Sequence, residues 1–286
     1  MPLKGRAVKV LKAKLFIGTC LLFSIGSFCN AADSSLTGAD GTALKFFTWD
    51  QNAAVWKRAI FSKMNSSYDL YESGVESSIG VGINSDSLSP NKKYAMLQRT
   101  VFGELSKWQD VEATENNYCD MVSMDTGCVL LSRPAEACSG SWKDGNWLAD
   151  GGEVIAPKLE TISPANLIKS VATIANTSAK GLAVKDQLFM GPDSYMSCYP
   201  APKNVQALND VGFYLAQAGD DSSALKIYRG IEVVGKRTVL MLNIADSLWN
   251  LKKTSEAAQY YKKYSDAMIA EGKAGKVPAR VAERAK

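Results

Sequence analysis

Apolar residues recur at helical spacing in the last third of the chain. Between Val205 and Ile269 they stand three or four positions apart, as on one face of an α-helix. The pattern repeats after 33 residues, and the paired positions hold similar side chains: Gly212 and Ala245, Leu215 and Leu248, Ala224 and Ala257, Tyr228 and Tyr261. A fixed period of this size is typical of stacked helical hairpins. We therefore predict a helical repeat domain over residues 201–286.

The ends of these segments carry signals that agree with helical hairpins. Gly219 can end the first helix, and Asp220 or Asp221 can cap the second. Small residues at the paired positions let two antiparallel helices approach closely. Pro278 suits the first turn of a further helix, and the tail around it has a thin apolar stripe of Val277, Val281 and Ala285. We predict a capping helix there.

The order of small and large residues resembles the signature of the tetratricopeptide repeat. One copy comprises Leu208, Val211, Gly212, Leu215, Ala224 and Tyr228, and the other comprises Met241, Ile244, Ala245, Leu248, Ala257 and Tyr261. In that family the first helix of each hairpin lines a concave face that holds a protein or peptide partner. Carried over by position, the resemblance implies a partner-binding face of Gln206, Asn209, Phe213, Gln217, Leu242, Asn243, Asp246, Trp249 and Asn250.

This face is rich in amide and aromatic side chains and has no lysine or arginine. It therefore does not predict the clamp for an acidic peptide terminus that some family members have. Amides beside Phe213 and Trp249 suit an extended peptide, whose backbone needs paired donors and acceptors. An alternative stays open at this point, in which Phe213 and Trp249 pack against the preceding domain.

Helical spacing also predicts helices upstream of the repeats. One would follow Asp50 and bury Trp56, Ile60, Phe61 and Met64; the next would begin at Pro90 and bury Tyr94, Leu97, Val101, Leu105 and Trp108. Glycine and proline interrupt residues 112–152, which predicts an irregular region, and residues 32–44 suggest a flexible arm. We therefore predict a mainly α protein, with a disulfide-tied, mostly helical and loop-rich domain over residues 45–200.

The first 31 residues have the pattern of a signal peptide. A basic segment precedes an apolar run from Leu15 to Phe28, and small residues before Ala32 suit cleavage there. The whole chain has 33 basic and 29 acidic side chains, and the leader takes five of the basic ones, leaving 28 against 29. We therefore expect a near-neutral periplasmic or secreted protein. Nothing in this balance favours nucleic acid as a partner, and any membrane contact would be peripheral.

Four cysteines remain after the leader: Cys119, Cys128, Cys138 and Cys198. An even number in an exported chain predicts two disulfides, and three pairings are possible. A bridge to Cys198 would tie the middle of the chain to the start of the repeats. A metal site is not expected, because no pair has CxxC spacing and the chain has no histidine.

The missing histidine also removes the usual general base and the Ser-His-Asp and Cys-His arrangements. Ser89 and Lys92 have the spacing of a serine acyl-enzyme site, but a helix cap at Ser89 explains the same residues. The sequence therefore favours an exported binding protein, without cofactor, that holds a protein or peptide through its repeats. Two alternatives remain: an immunity or inhibitor protein against an envelope toxin, and a cell-wall hydrolase.

Overall fold

Alternating buried and exposed residues build a large antiparallel sheet in the first half of the chain. The computed structural model describes residues 33–64, 66–71, 78–107, 110–235 and 237–286. Within these residues, eight strands form the sheet: β1 Ser34–Thr37, β2 Ala43–Asp50, β3 Val55–Lys63, β4 Ser66–Asp69, β5 Ser78–Gly82, β6 Tyr94–Lys107, β7 Asp110–Ser123 and β8 Val129–Pro134. Their order is β1-β2-β3-β5-β6-β7-β8, and β4 pairs with β3.

A second, three-stranded sheet packs on one face of the large sheet. Its strands are β9 Gly140–Lys143, β10 Asn146–Ala149 and β11 Val154–Ile155, with β10 in the centre. Met96 and Met121 from the large sheet join Trp147 of β10 in one core cluster. The opposite face, which carries Ala95 and Leu97, packs against helices. Because side chains alternate along a strand, β6 contributes to the cores on both faces.

The predicted mainly α fold is therefore wrong: the described residues form two antiparallel sheets together with the helices, and the strands occupy most of the first half of the domain predicted over residues 45–200. The two segments predicted as helices after Asp50 and after Pro90 are strands β3 and β6. Strand β6 is covered on both faces, so its apolar residues do not alternate cleanly with polar ones. The irregular region predicted over residues 112–152 consists mostly of strands β7 to β10, and the predicted arm contains β1, paired with β2.

Several glycines that suggested irregular structure lie instead in tight turns between strands. Asp144 and Gly145 join β9 to β10, and both have a positive φ, 49° and 79°. Two consecutive residues of this kind form the hairpin turn whose twist matches the flanking strands. The Asp-Gly pair was thus a hairpin signal that the prediction of an irregular region overlooked.

Helices form the second half of the chain. Their bounds are α1 Pro164–Ser170, α2 Thr177–Gln187, α3 Pro192–Cys198, α4 Ala201–Gln217, α5 Asp221–Glu232, α6 Thr238–Asn250, α7 Thr254–Ala270 and α8 Ala279–Arg284. Each of α4 to α7 packs against the next, as in two successive hairpins. Helices α1, α2 and α3 pack against the first hairpin, and α8 packs against α7. None of the described helices has the length and apolar character needed to cross a membrane.

Two disulfides connect these layers. Cys119 of β7 pairs with Cys138, and Cys128 before β8 pairs with Cys198 at the end of α3, with Cα–Cα distances of 5.1 and 4.8 Å. The prediction of two bridges is confirmed, and the second one ties the sheet to the helices. Described residues from both halves also share one hydrophobic cluster. Such bridges fit a chain that folds in an oxidising compartment outside the cytoplasm.

Candidate functional site

Close packing within each hairpin sets the position of the predicted partner-binding residues. Gly212 of α4 faces Tyr228 of α5, and a Cβ atom added at Gly212 would lie 2.5 Å from a ring carbon of Tyr228. In the second hairpin, Ala245 and Tyr261 occupy the equivalent places, and both are fully buried. The small residue in the first helix of each hairpin therefore makes room for the tyrosine of the second helix. The predicted partner-binding residues lie beside this contact on α4 and α6.

The structure brings part of the predicted face together across α4 and α6. The side-chain amide of Asn243 donates to Asn209 Oδ1 at 3.0 Å. Gln206 donates to Asp210 Oδ1 at 2.9 Å and accepts a long, 3.5 Å hydrogen bond from Arg237. These contacts join α4 and α6, the first helices of the two hairpins, through their amide side chains.

Helix α8 covers another part of the predicted face. Arg280 donates from Nε and Nη2 to the Asp246 carboxylate, at 3.1 and 2.8 Å, and Tyr261 donates to the same carboxylate at 2.7 Å. The guanidinium carbon of Arg284 lies 4.7 Å from the centre of the Trp249 ring. Asp246 and Trp249 thus already have partners within the chain, which the tail supplies rather than the preceding domain.

The tail arginines were missed by the sequence interpretation. They stand four residues apart, on either side of the fully buried Val281, which is the spacing that places side chains on one helix face. The signal was therefore present, but its acidic target lies 34 residues upstream of Arg280 and could be located only from the fold. The hydrogen bond and the charge of Asp246 both raise the pKa of Arg280, which keeps this contact charged.

The remaining predicted residues leave an exposed patch on α4. Phe213 is 39% exposed, which is high for a large apolar side chain, and its ring contacts Tyr214 edge-on at 5.4 Å between centres. Gln206 is exposed two turns before Phe213 and Gln217 one turn after it, and Leu242 of α6 is half-buried. Asn250 points to the other side and donates to Asp221 of α5 at 3.3 Å. An aromatic ring flanked by amides is the part of the face that is open to a partner.

The serine and lysine pair considered for catalysis lies in a tight turn before β6. Ser89 is buried; its hydroxyl donates to Asn91 Oδ1 at 2.8 Å and accepts from the backbone N–H of Lys93 and of Tyr94. The expected helix cap is thus a turn, and the hydroxyl holds that turn together. In the part of the chain that the structure describes, no group of three or more Cys, Asp or Glu side chains could hold a metal ion.

No protein-family model matches the chain, and no curated protein matches it. The resemblance to the tetratricopeptide repeat therefore depends on the repeated positions in the sequence alone.

Proposed function

We propose that this protein binds an extended segment of a partner protein through the exposed face of α4 and α6. We also propose that these helices are the first helices of two tetratricopeptide-like repeats. The exposed Phe213 between Gln206 and Gln217 is the observation that carries the proposal. Exposed aromatic rings among side chains able to donate and accept hydrogen bonds are enriched where proteins bind each other. Asn209 and Asn243, linked across the helices, extend this surface to α6.

The contacts of α8 exclude Asp246 and Trp249 from the proposed site and leave α4 together with the part of α6 around Asn243. Asp246 and Trp249 contribute to binding only indirectly, because their contacts with Arg280 and Arg284 hold the second hairpin and the tail together. We further propose that the protein acts in the periplasm or as a secreted protein, after cleavage before Ala32. The leader pattern and the two disulfides support this location.

A capture experiment with matched variants tests the binding proposal. The mature protein is immobilised, incubated with envelope extract, and compared with Phe213→Ala and with Ile269→Ala. Ile269 is 58% exposed on α7, outside the proposed face, and is the control for losing an exposed apolar side chain. An aromatic anchor contributes about 2 kcal/mol or more, so Phe213→Ala should reduce capture of a specific partner about 30-fold. Equal capture by the two variants would contradict the proposal.

A further inference from the structure

A second recess, separate from this face, lies on the helix-facing side of the large sheet. It is a cavity of about 540 Å³ between strands β6 to β8 and the segment that links α2 to α3. Arg99 of β6, Tyr118 of β7 and Phe189 of the linking segment form part of its wall. It shares no residue with the face of α4 and α6, so it is a candidate for a separate binding role.

Arg99 is the unusual residue in this wall, because it is only 4% exposed. Its Nε donates to Asp120 Oδ2 at 2.6 Å, and its Nη2 lies 3.5 Å from Asp120 Oδ1 and 3.4 Å from Ser132 Oγ. The guanidinium carbon is 4.4 Å from the ring centre of Tyr118 and 4.6 Å from that of Phe189. The carboxylate and the two rings therefore fix the plane of the guanidinium before any ligand arrives.

One edge of this guanidinium remains available to the cavity. Among the described residues, none accepts a hydrogen bond from Nη1 of Arg99. Fixed N–H donors beside aromatic rings match a planar oxyanion, and an arginine edge fits a carboxylate especially well.

The cavity wall also contains an acceptor. Asp186, at the end of α2, is exposed, and its carboxylate has no hydrogen bond or ion pair with the other described residues. A ligand with two or more negative charges, such as a phosphate dianion, would be repelled there. A ligand with one carboxylate and a nearby N–H group would satisfy both Arg99 and Asp186. The C-terminal residues of a peptide have this combination of groups.

The shape of the recess extends in one direction. A second cavity of about 290 Å³ shares Ser132, Arg133, Asp186 and Phe189 with the first, and continues past Ile162 to Tyr195. Strand β8 is the last strand of the sheet and borders both cavities, and the backbone N–H groups of Glu160 and Thr161 already occupy its outer edge at Leu130. The two cavities together form an elongated groove beside β8, and an extended chain fits such a groove better than a compact small molecule.

We propose that this groove binds the C-terminal end of an extended peptide, with its free carboxylate at Arg99 and a backbone N–H group at Asp186. The peptide would continue into the smaller cavity, towards Ile162 and Tyr195. This site is independent of the proposed partner face, and either one can exist without the other.

The test compares two probes that differ only in the terminal group. N-acetyl-trialanine with a free carboxylate and the same peptide as its C-terminal amide are titrated into the 15N-labelled mature protein, and amide shifts are followed by NMR. We expect the acid to bind at least about tenfold more tightly than the amide, because hydrogen bonds to a charged group are the strong ones. The shifts should centre on β6, β8 and residues 186–190. Equal binding of both peptides, or no binding of the acid at 10 mM probe, about the weakest level worth calling specific, would overturn the proposal.

Variants locate the carboxylate. Arg99→Lys keeps the charge but loses the planar fork, and should weaken binding of the acid about tenfold or more, to the level of the amide. Arg58→Gln removes an arginine that pairs with Asp69 outside the groove, and should leave binding unchanged, as should Phe213→Ala. If Arg99→Lys does not fold, the double variant Arg99→Gln with Asp120→Asn takes its place, because it removes both charges of the buried pair together and should also weaken binding of the acid to the level of the amide. Binding of inorganic phosphate as tight as that of the acid would contradict the assignment of a peptide end.

Discussion

Replacing Gly212 by alanine tests the close contact on which the first hairpin depends. Gly212 lies inside α4, where alanine is favoured over glycine by about 1 kcal/mol if nothing obstructs its methyl group. Here the added Cβ would lie 2.5, 3.0 and 3.0 Å from three ring atoms of Tyr228. That ring is 1% exposed, so it cannot swing into solvent. Forcing one carbon into such a core costs about 1–3 kcal/mol, which offsets or exceeds the gain in helix propensity.

Gly230 of α5 provides a matched comparison. A Cβ added there would lie 2.6 Å from the sulfur of Met196 and 3.1 Å from its terminal methyl carbon. These atoms end a flexible, half-buried side chain, which can move aside at little cost. Gly230→Ala should therefore be neutral or stabilising, by up to about 1 kcal/mol. The two variants differ mainly in what the new methyl group meets.

Urea unfolding followed by circular dichroism measures the difference. We expect Gly212→Ala to have a free energy of unfolding about 1–3 kcal/mol below that of Gly230→Ala, with the same dependence on urea concentration. If Gly212→Ala is at least as stable as Gly230→Ala, the tyrosine does not fill the gap at the glycine, and the described packing of the hairpin is incorrect.

Three further predictions concern the stability of the same fold. Replacing both Cys128 and Cys198 by serine opens a loop that the disulfide closes over a sequence separation of 70 residues. This change should lower the free energy of unfolding by about 4 kcal/mol, and a loss below about 1 kcal/mol in urea titrations would contradict this prediction. Val281→Ala removes two buried methyl groups under α8 and should cost about 1–2 kcal/mol, and a protease-protection assay of the tail should show earlier cleavage. Burial raises the pKa of Asp221, so its stabilising contribution is complete below the unfolded-chain pKa and is lost as the pH rises through the folded one. Asp221→Asn should then increase the melting temperature at neutral pH but not at about pH 3, and an equal effect at both would refute this.

The helices of the second half could be predicted because their apolar residues form a single stripe. In α4, Leu208, Val211, Gly212 and Leu215 are buried while the other residues between them are exposed or half-buried, so the helical period is visible in the sequence. The similar sizes of Gly212 and Ala245 then reveal the repeat. Local information is sufficient for these elements because each helix forms its backbone hydrogen bonds within itself.

The sheet could not be predicted in the same way. Leu97 and Val101 stand four positions apart in β6, which suggests a helix, although Ala95, Met96 and Leu97 are all buried because the sheet is covered on both faces. A strand of this kind has no clear period, and its hydrogen bonds go to residues far away in the sequence. The preference for β-branched and aromatic residues around Thr100 was the signal that could have indicated a strand.

The contacts at both candidate sites join residues that are far apart in the sequence. Arg99 meets Asp120 only because β6 and β7 pair in a register that places Gln98 opposite Cys119 and Leu97 opposite Asp120. Asp246 meets Arg280 only because α8 folds back on the second hairpin. Residue types alone gave no reason to choose these partners. The sequence therefore predicted the helical face, but not the tail arginines that cover part of it or the arginine that lines the groove.

Site-specific photo-crosslinking in intact cells tests the proposed partner face most directly. A photoreactive phenylalanine is placed at Gln217, beside the exposed ring of Phe213, and in a second strain at Ile269, on the other side of the helical layer. We predict a discrete crosslinked product at position 217 that is absent at position 269 and is lost when Phe213→Ala is added. No product at position 217, or the same product at both positions, would contradict a binding role for this face.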